Sequence, residues 1–334
     1  MRAANQQSIK QRCLDSISEL MRKHRLGPPT TITRDESGWV NPCFFVDDRL
    51  VFRFNARDVE LPKFQREKIV FDLLEGSALP TPRNVLLDDS RELVPYDVLI
   101  SPKLPGANVE QAWPELHLEM KQQLSENAGR LLSRLHEVSF PFFGELADGG
   151  PLPRTERWMD YVRAKLCLQL NRTIQLGILS DGQRERCLKL LHLRAAALND
   201  VTSARLVHDD FHFGNLLHVG SEITGVLDFE WSFAGDPLYD YCFWHSELDL
   251  WPGSRTPFLK GCDQTELSGS ERLRLDVYQM IGNITLCAES KLHFPVEEAT
   301  QYQAAAETHL NRLERHASDS ASEPRPLGSD HPES

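Results

Sequence analysis

The sequence predicts an α+β chain of two lobes, a small β-rich one followed by a larger one that is mainly helical. Three observations point there. Residues 43–54 hold two short aromatic and β-branched runs, CFFV and RLVFRF, separated at Asp47-Asp48, which is the pattern of a β-hairpin. Beyond Gly106 the chain changes character, and residues 115–138, 155–175 and 181–198 read as long helices. At 334 residues the chain is also too long for one ordinary core.

The elements follow in order. Residues 5–25 place Ile9, Cys13, Ile17, Leu20 and Met21 on one helical face, and Gly27 with Pro28 stops that helix. In the hairpin, alternation sets Val51 and Arg53 on one face and Leu50, Phe52 and Phe54 on the other, with the inner face left open. From Pro62 the pattern turns helical on Phe64, Ile69, Val70, Leu73 and Leu74, and Gly76 is placed to cap it. Residues 84–88 and 96–101 read as two more strands, and a single connection near 101–106 leads into the helical lobe. Further on, Ala204–Val207 and EITGVLDFEW are strand-like, and residues 271–315 are mostly helical. The tail from Ala317 is rich in Ser, Pro and acid and is expected to be disordered. The organisation is an N-terminal helix (1–28), an N-lobe (29–104), a C-lobe (105–316) and a tail (317–334). A ligand belongs in the crevice between the lobes.

Thirty-seven basic residues against 49 acidic ones give a formal charge of −12. Such a surface disfavours nucleic acid and anionic membranes and tolerates cationic small molecules. The N-terminus lacks the apolar run of a signal peptide, and no stretch reaches the roughly 18 apolar residues of a membrane helix. The seven cysteines are scattered without a C-x-x-C pair, as expected of reduced thiols in a cytoplasm.

Residues 208–215 read HDDFHFGN. His208, His212 and His218 raise the prospect of a metal cage, but Gly214 and the preceding strand-like run argue against the helix that H-x-x-x-H ligation needs. Phosphoryl transfer explains more. It needs a carboxylate beside the attacking hydroxyl, an oxygen ligand for Mg²⁺ on the same loop, and a second carboxylate to hold the metal against the phosphates. Asp210 and Asn215 fit the first two needs, and Asp228 lies 13 residues beyond Asn215. Strands 216–219 and 223–227, joined around Gly220, would bring those two ends together.

LVHDDFHFGNLL, GVLDFEW and AGDPLYDY together resemble the aminoglycoside phosphotransferase family, small-molecule kinases on a protein-kinase-like fold that is shared with choline, homoserine and methylthioribose kinases. The resemblance runs from about residue 30 to 300. It implies that Asp210 is the catalytic base and that Asn215 and Asp228 hold magnesium. It also implies that His208 braces the loop, and that Asp236 and Asp240 are structural carboxylates. In the small lobe Arg53 stands where a phosphate-binding lysine is usual, with Glu67 as its ion-pair partner. Gly38 and Asn41 resemble a loose phosphate loop, and the Pro102 carbonyl and Leu104 amide are placed to bond the nucleobase of ATP or GTP. Asp209, beside the catalytic position, departs from the small residue the family commonly has, and Glu230 stands where protein kinases have glycine.

The segment after Asp228 is rich in acids and aromatics, and Glu230, Trp231, Trp244 and Glu247 are the candidate contacts to an acceptor. The expected activity is magnesium-dependent phosphorylation of a hydroxyl on a small cationic or sugar-like molecule by a monomer or homodimer. An antibiotic, an amino sugar or a metabolic amino alcohol would each serve. The rival reading is a nucleotide-binding pseudokinase that acts through partners. A protein kinase is disfavoured, because only seven residues separate Asp228 from Asp236 and leave no room for a long activation loop.

Overall fold

The computed structural model describes residues 2–35, 41–242, 244–245 and 250–293, and short pieces at 303–304, 307–308 and 310–314. The elements, in chain order, are α1 (Arg2–Lys23), β1 (Ile32–Arg34), β2 (Cys43–Val46), β3 (Leu50–Phe54), α2 (Lys63–Leu74), β4 (Leu86–Asp88) and β5 (Val98–Pro102). Next come β6 (Ala107–Asn108), α3 (Val109–Ala112), α4 (Leu118–Leu135), β7 (Ser139–Phe140), β8 (Phe143–Glu145), β9 (Arg154–Thr155) and α5 (Trp158–Gln175). The remainder is α6 (Asp181–Leu193), α7 (Ala195–Asn199), β10 (Ala204–Val207), β11 (Leu216–Val219), β12 (Glu222–Val226), β13 (Phe233–Gly235), α8 (Arg255–Gly261) and α9 (Gly269–His293). Two compact units result, Met1–Tyr161 with Thr202–Glu266, and Val162–Val201 with Leu267–Ser334.

In the first unit, an antiparallel sheet runs β1-β2-β3-β5-β4. The hairpin has Cys43 opposite Arg53 and Val46 opposite Leu50, and Asp47 and Asp48 both adopt the left-handed conformation in its turn. Leu50, Phe52 and Phe54 are the buried face. They pack with Phe44, Val46 and Ile100 against Cys13, Ile17, Leu20 and Met21 of α1, so the apolar stripe of α1 is what selects the inner face. Val51 and Arg53 consequently face the other way. Gly76 does not cap α2. The helix stops at Leu74, and Glu75 keeps right-handed geometry. Its last carbonyl, Leu74 O, is taken instead by Arg83, whose guanidinium also donates to Ser77 O at 2.8 Å and Leu79 O at 2.6 Å in the segment that follows.

The stretch after Gly106 is less purely helical than its sequence predicts. A second antiparallel sheet runs β7-β10-β13-β8-β9, and a third runs β12-β11-β6. Of these strands β6 to β9 and β13 are two or three residues long, too short to show alternation. Trp158, Phe233 and Tyr239 build an aromatic core behind β13. α4 and α8 cross at Gly129 and Gly261, where a Cβ on either glycine would overlap main-chain atoms of the facing helix.

In the second unit, the predicted helix 181–198 is two helices, α6 and α7, broken at Arg194. α6 opens on a capping box between Ser180 and Gln183, and Arg186 pairs with Glu307 and Glu314, each at 2.8 Å. No helix among the described residues is long and apolar enough to cross a membrane. The tail expected to be disordered lies outside the described residues.

Candidate active site

β10 delivers the chain to the loop 208–215, which hangs from one buried carboxylate. Asp240 accepts the His208 amide at 2.9 Å and the Asp209 amide at 2.8 Å, and His136 Nε2 lies 2.8 Å from the same side chain. His208 is fully buried. Its Nε2 donates to Leu227 O at 3.0 Å, and its Nδ1 accepts the Asp210 amide at 3.3 Å. The ring therefore ties the loop to the segment before Asp228, and burial holds its pKa down despite nearby carboxylates. Asp209 takes a left-handed φ of 68°, a conformation that its short polar side chain tolerates.

Asp210 and Asn215 meet directly. Asn215 Nδ2 donates to the Asp210 carbonyl and to Oδ2, both at 2.9 Å. His212 Nε2 lies 3.3 Å from the other carboxylate oxygen, Oδ1. Burial pushes the Asp210 carboxyl up, but the bonds from His212 and Asn215 and the two neighbouring imidazoles hold it below the usual carboxylate value. Burial also works against a charged His212 ring, while the Asp210 carboxylate more than offsets that. The carboxylates of Glu110 and Asp228 add to that upward shift, while the Gly214 amide, which donates to His212 Nδ1 at 3.0 Å, opposes a second ring proton.

The hairpin β11–β12 has Leu216 opposite Val226, and Leu227 N donates to Asn215 O at 2.9 Å. Asn215 and Asp228 are thus brought back beside one another. Asp228 is left-handed (φ 67°, ψ 56°) and starts the short turn Phe229–Trp231. With Nδ2 of Asn215 committed to Asp210, its Oδ1 remains as a ligand. Together with the Asp228 carboxylate it makes an all-oxygen set that suits Mg²⁺.

An ion-pair cluster closes the site from the small sheet. Arg53 donates to both oxygens of Glu67 at 2.6 and 2.7 Å, to Asp228 at 2.6 Å and to Glu230 at 3.2 Å. Lys63 reaches Glu230 at 2.9 Å and Asp58 at 2.7 Å. Arg66 donates to Glu230 O at 2.5 Å and pairs with Glu145. Glu67, Asp228 and Glu230 crowd within 4.8 Å of one another. Burial, with the other two carboxylates, pushes Glu67 up to about 7 against the pull of Arg53.

The structure therefore gathers Asp210, Asn215, Asp228, Arg53 and Glu67. Pro102 ends β5 opposite Leu50, and Leu104 is half-buried beside Gly225 of β12. Two expected acceptor contacts are corrected. Glu230 is buried with its carboxylate committed to Lys63 and Arg53, because an isolated charge at that depth would be costly. Trp244 is 3% exposed, stacked on Phe258 at 3.6 Å with its Nε1 on Phe211 O, and is a core residue. Trp231 remains 39% exposed, with Lys63 Nζ over its ring at 4.0 Å. Gly38 and Glu247 lie outside the described residues.

Sequence reading missed Lys63 and Arg66, and it weighed His212 only as a metal ligand and not as a neighbour of Asp210. One signal was available for the first two. α2 begins with two cations and no acid in its first turn, against its own dipole, which calls for anionic partners from elsewhere.

The chain matches the phosphotransferase enzyme family over residues 31–274. It is 26% identical over 260 residues to acyl-CoA dehydrogenase family member 10 of Mus musculus, a match covering 73% of this chain and 22% of that protein. The chain thus spans about a fifth of the length of that relative. The fold is similar to a thermostable mutant of the aminoglycoside phosphotransferase APH(4)-Ia, with TM-score 0.66 and 20% identity over 92% of this chain and all of that one. A ternary complex of such a mutant with AMP-PNP and hygromycin B gives TM-score 0.64 at 18% identity, covering 92% and 100% of the two chains. The gentamicin complex of APH(2")-IIa gives TM-score 0.65 at 16% identity, covering 89% and 96%. With a protein-kinase-like fold and a family match across most of its length, this chain belongs to the aminoglycoside phosphotransferase family of phosphotransferases.

Proposed function

We propose that the chain is a nucleoside-triphosphate-dependent kinase that phosphorylates a hydroxyl group of a small molecule. The observation that carries this is the return of β11–β12, which sets Asp228 beside Asn215 while Asn215 holds Asp210. Asp210 orients the acceptor hydroxyl and takes its proton as the phosphoryl group transfers. Its depressed pKa keeps it an anion at neutral pH, so it is ready as an acceptor. Asn215 and Asp228 would hold Mg²⁺, which when bound neutralises charge on the phosphates. Arg53, anchored by Glu67, binds phosphate oxygens, for which its planar fork is suited. Pro102 and Leu104 receive the base of ATP or GTP, with residues 29–104 serving the nucleotide and 105–316 the acceptor.

Solved relatives in complex with hygromycin B and gentamicin support a cationic, sugar-like acceptor, and complexes with AMP-PNP and with GDP support either purine nucleotide. Trp231, half-exposed beside the cluster, is the acceptor contact retained from the sequence. One observation favours a second reading, a pseudokinase. Arg53 already engages Asp228, so the carboxylate needed for the metal has a resident cation.

The test is nucleotide consumption with Mg²⁺ across aminoglycosides, other hydroxylated antibiotics, amino alcohols and sugars. Acceptor-dependent turnover that falls about 10²- to 10⁴-fold in Asp210→Ala, with nucleotide binding retained, supports the kinase. Tight nucleotide binding without turnover on any acceptor supports the second reading, and no nucleotide binding defeats both.

A further inference from the structure

The phosphotransfer roles leave one polar side chain of the catalytic loop without a task. His212 lies between Asp210 and a layer of packed aromatics, and its ring is constrained on three sides. It stacks nearly parallel to Trp251, with an interplanar angle of 11° and centroids 5.9 Å apart. A Cβ built on Gly214 would lie 2.5 Å from its Cε1, so only glycine at 214 leaves room for the imidazole. The Gly214 peptide is itself held from the far side, where Asn108 Nδ2 donates to Gly214 O at 2.6 Å. The Gly214 amide then donates to Nδ1 at 3.0 Å. An atom that accepts a backbone N–H presents a lone pair, so the ring proton sits on Nε2.

We infer that His212 is a positioning residue for Asp210, donating from Nε2–H to Oδ1 and thereby fixing the rotation of the carboxylate. This rests on the assignment of Asp210 as the base. Nε2 lies 3.3 Å from Oδ1, a separation of the loose kind that catalytic hydrogen bonds show before substrate binds. Asn215 Nδ2 holds Oδ2 at 2.9 Å. Each carboxylate oxygen is pinned by one donor and keeps a second lone pair for the incoming hydroxyl. The two clamps differ in origin. Asn215 is shared with the metal site, whereas His212, whose Nε2 also lies 3.4 Å from Asn215 Nδ2, is oriented by Gly214 and Trp251. Gly214 is thereby explained as the residue that makes room for the histidine and selects its tautomer.

Two measurements test this. The first compares His212→Leu, which removes the donor, with His212→Gln, whose terminal amide reaches about as far as Nε2. His212→Leu is expected to lose kcat about 10- to 100-fold, the worth of a hydrogen bond to a charged group, with the nucleotide KM within about two-fold. His212→Gln should recover to within about five-fold of the wild type, and Gly214→Ala should behave like His212→Leu. Equal losses in Leu and Gln, or a loss residing in KM, overturn the inference. The second measurement needs no turnover. Ring-nitrogen NMR of isotope-labelled histidines at mildly alkaline pH, with His212 assigned by the Gln variant, should report the Nε2–H tautomer. A proton on Nδ1 overturns the inference. If the wild type turns over no acceptor, the kinase assignment fails, and the tautomer still decides where the His212 proton lies.

Discussion

Replacing Gly129 by alanine should destabilise the protein substantially, although alanine is ordinarily the better helix former. Gly129 sits in α4 where α8 passes at backbone distance. A Cβ there would overlap Phe258 O and lie 2.9 Å from Cys262 N and 3.0 Å from the carbonyl carbon of Gly261. None of these atoms is the end of a flexible side chain. Phe258 O also accepts the Cys262 amide at 3.0 Å, so pushing it aside strains a helical hydrogen bond of α8. Overpacking of this kind costs about 1–3 kcal/mol, and the upper end applies because main chain has to move. The strained bond adds about 1 kcal/mol, and the helix propensity of alanine returns about 1 kcal/mol. The net is about 3 kcal/mol, or about 6–12 °C in Tm at 2–4 °C per kcal/mol. Gly282 supplies the control. It lies inside α9 with nothing within 4 Å of a built Cβ, so Gly282→Ala should stabilise by about 0.5–1 kcal/mol. Thermal unfolding of the three proteins in one buffer decides the matter. A Gly129→Ala variant that melts at or above the wild type would refute the close crossing of α4 and α8.

Three further outcomes are expected. Asp240→Asn removes the charge that accepts two loop amides, so stability should fall by about 2–3 kcal/mol and kcat should fall more than KM, read from melts and steady-state kinetics. Asp88 is held below its ordinary value, since bonds from Ser90, His24 and Lys23 outweigh its burial. Its folded pKa is depressed, so its stabilisation is present above about pH 4 and fades as pH falls toward the folded value. The Tm gap between wild type and Asp88→Asn should accordingly be wide near neutrality and close in acid, and a gap constant with pH would contradict this. Burial pushes the thiols of Cys13, Cys43, Cys187 and Cys262 up to about 12 and that of Cys287 to about 11. These five should resist iodoacetamide at mildly alkaline pH until the chain is unfolded, as counted by mass spectrometry.

The parts of the site that could be read from sequence share one property, in that their chemistry is carried at short, fixed spacing. His208, Asp210 and Asn215 lie on one loop, and a hairpin of predictable length returns Asp228 to them. The pairing of Arg53 with Glu67 came from the family resemblance, since alternation in the hairpin left the face of Arg53 open until the apolar stripe of α1 selected it. What stayed hidden depends on distant partners. The first turn of α2 calls for anionic partners to Lys63 and Arg66 but does not name Glu230 and Glu145, which lie far along the chain. Nothing in the run FEWSF tells that Glu230 turns inward while Trp231 stays at the surface. Trp244 was assigned to the acceptor on composition, and packing against Phe258 claimed it instead. The end of α2 was assigned to Gly76 by local rule, and a guanidinium nine residues past Leu74 took its place.

The ion-pair cluster has a consequence for how the molecule is made. Arg53 and Asp228 are 175 positions apart, and Lys63 and Glu230 are 167 apart. At ordinary rates of synthesis, roughly 10–35 seconds separate the two ends of the Arg53–Asp228 pair as they leave the ribosome. In that interval α2 carries Lys63 and Arg66 without the Glu230 that later holds both. Contacts of such sequence separation form late, because loop closure has to precede any gain from them. A chain ending before Asp228 would carry β3 and α2 but leave Arg53 without Asp228, and Lys63 and Arg66 without Glu230, so the cluster marks the completion of folding and not its onset.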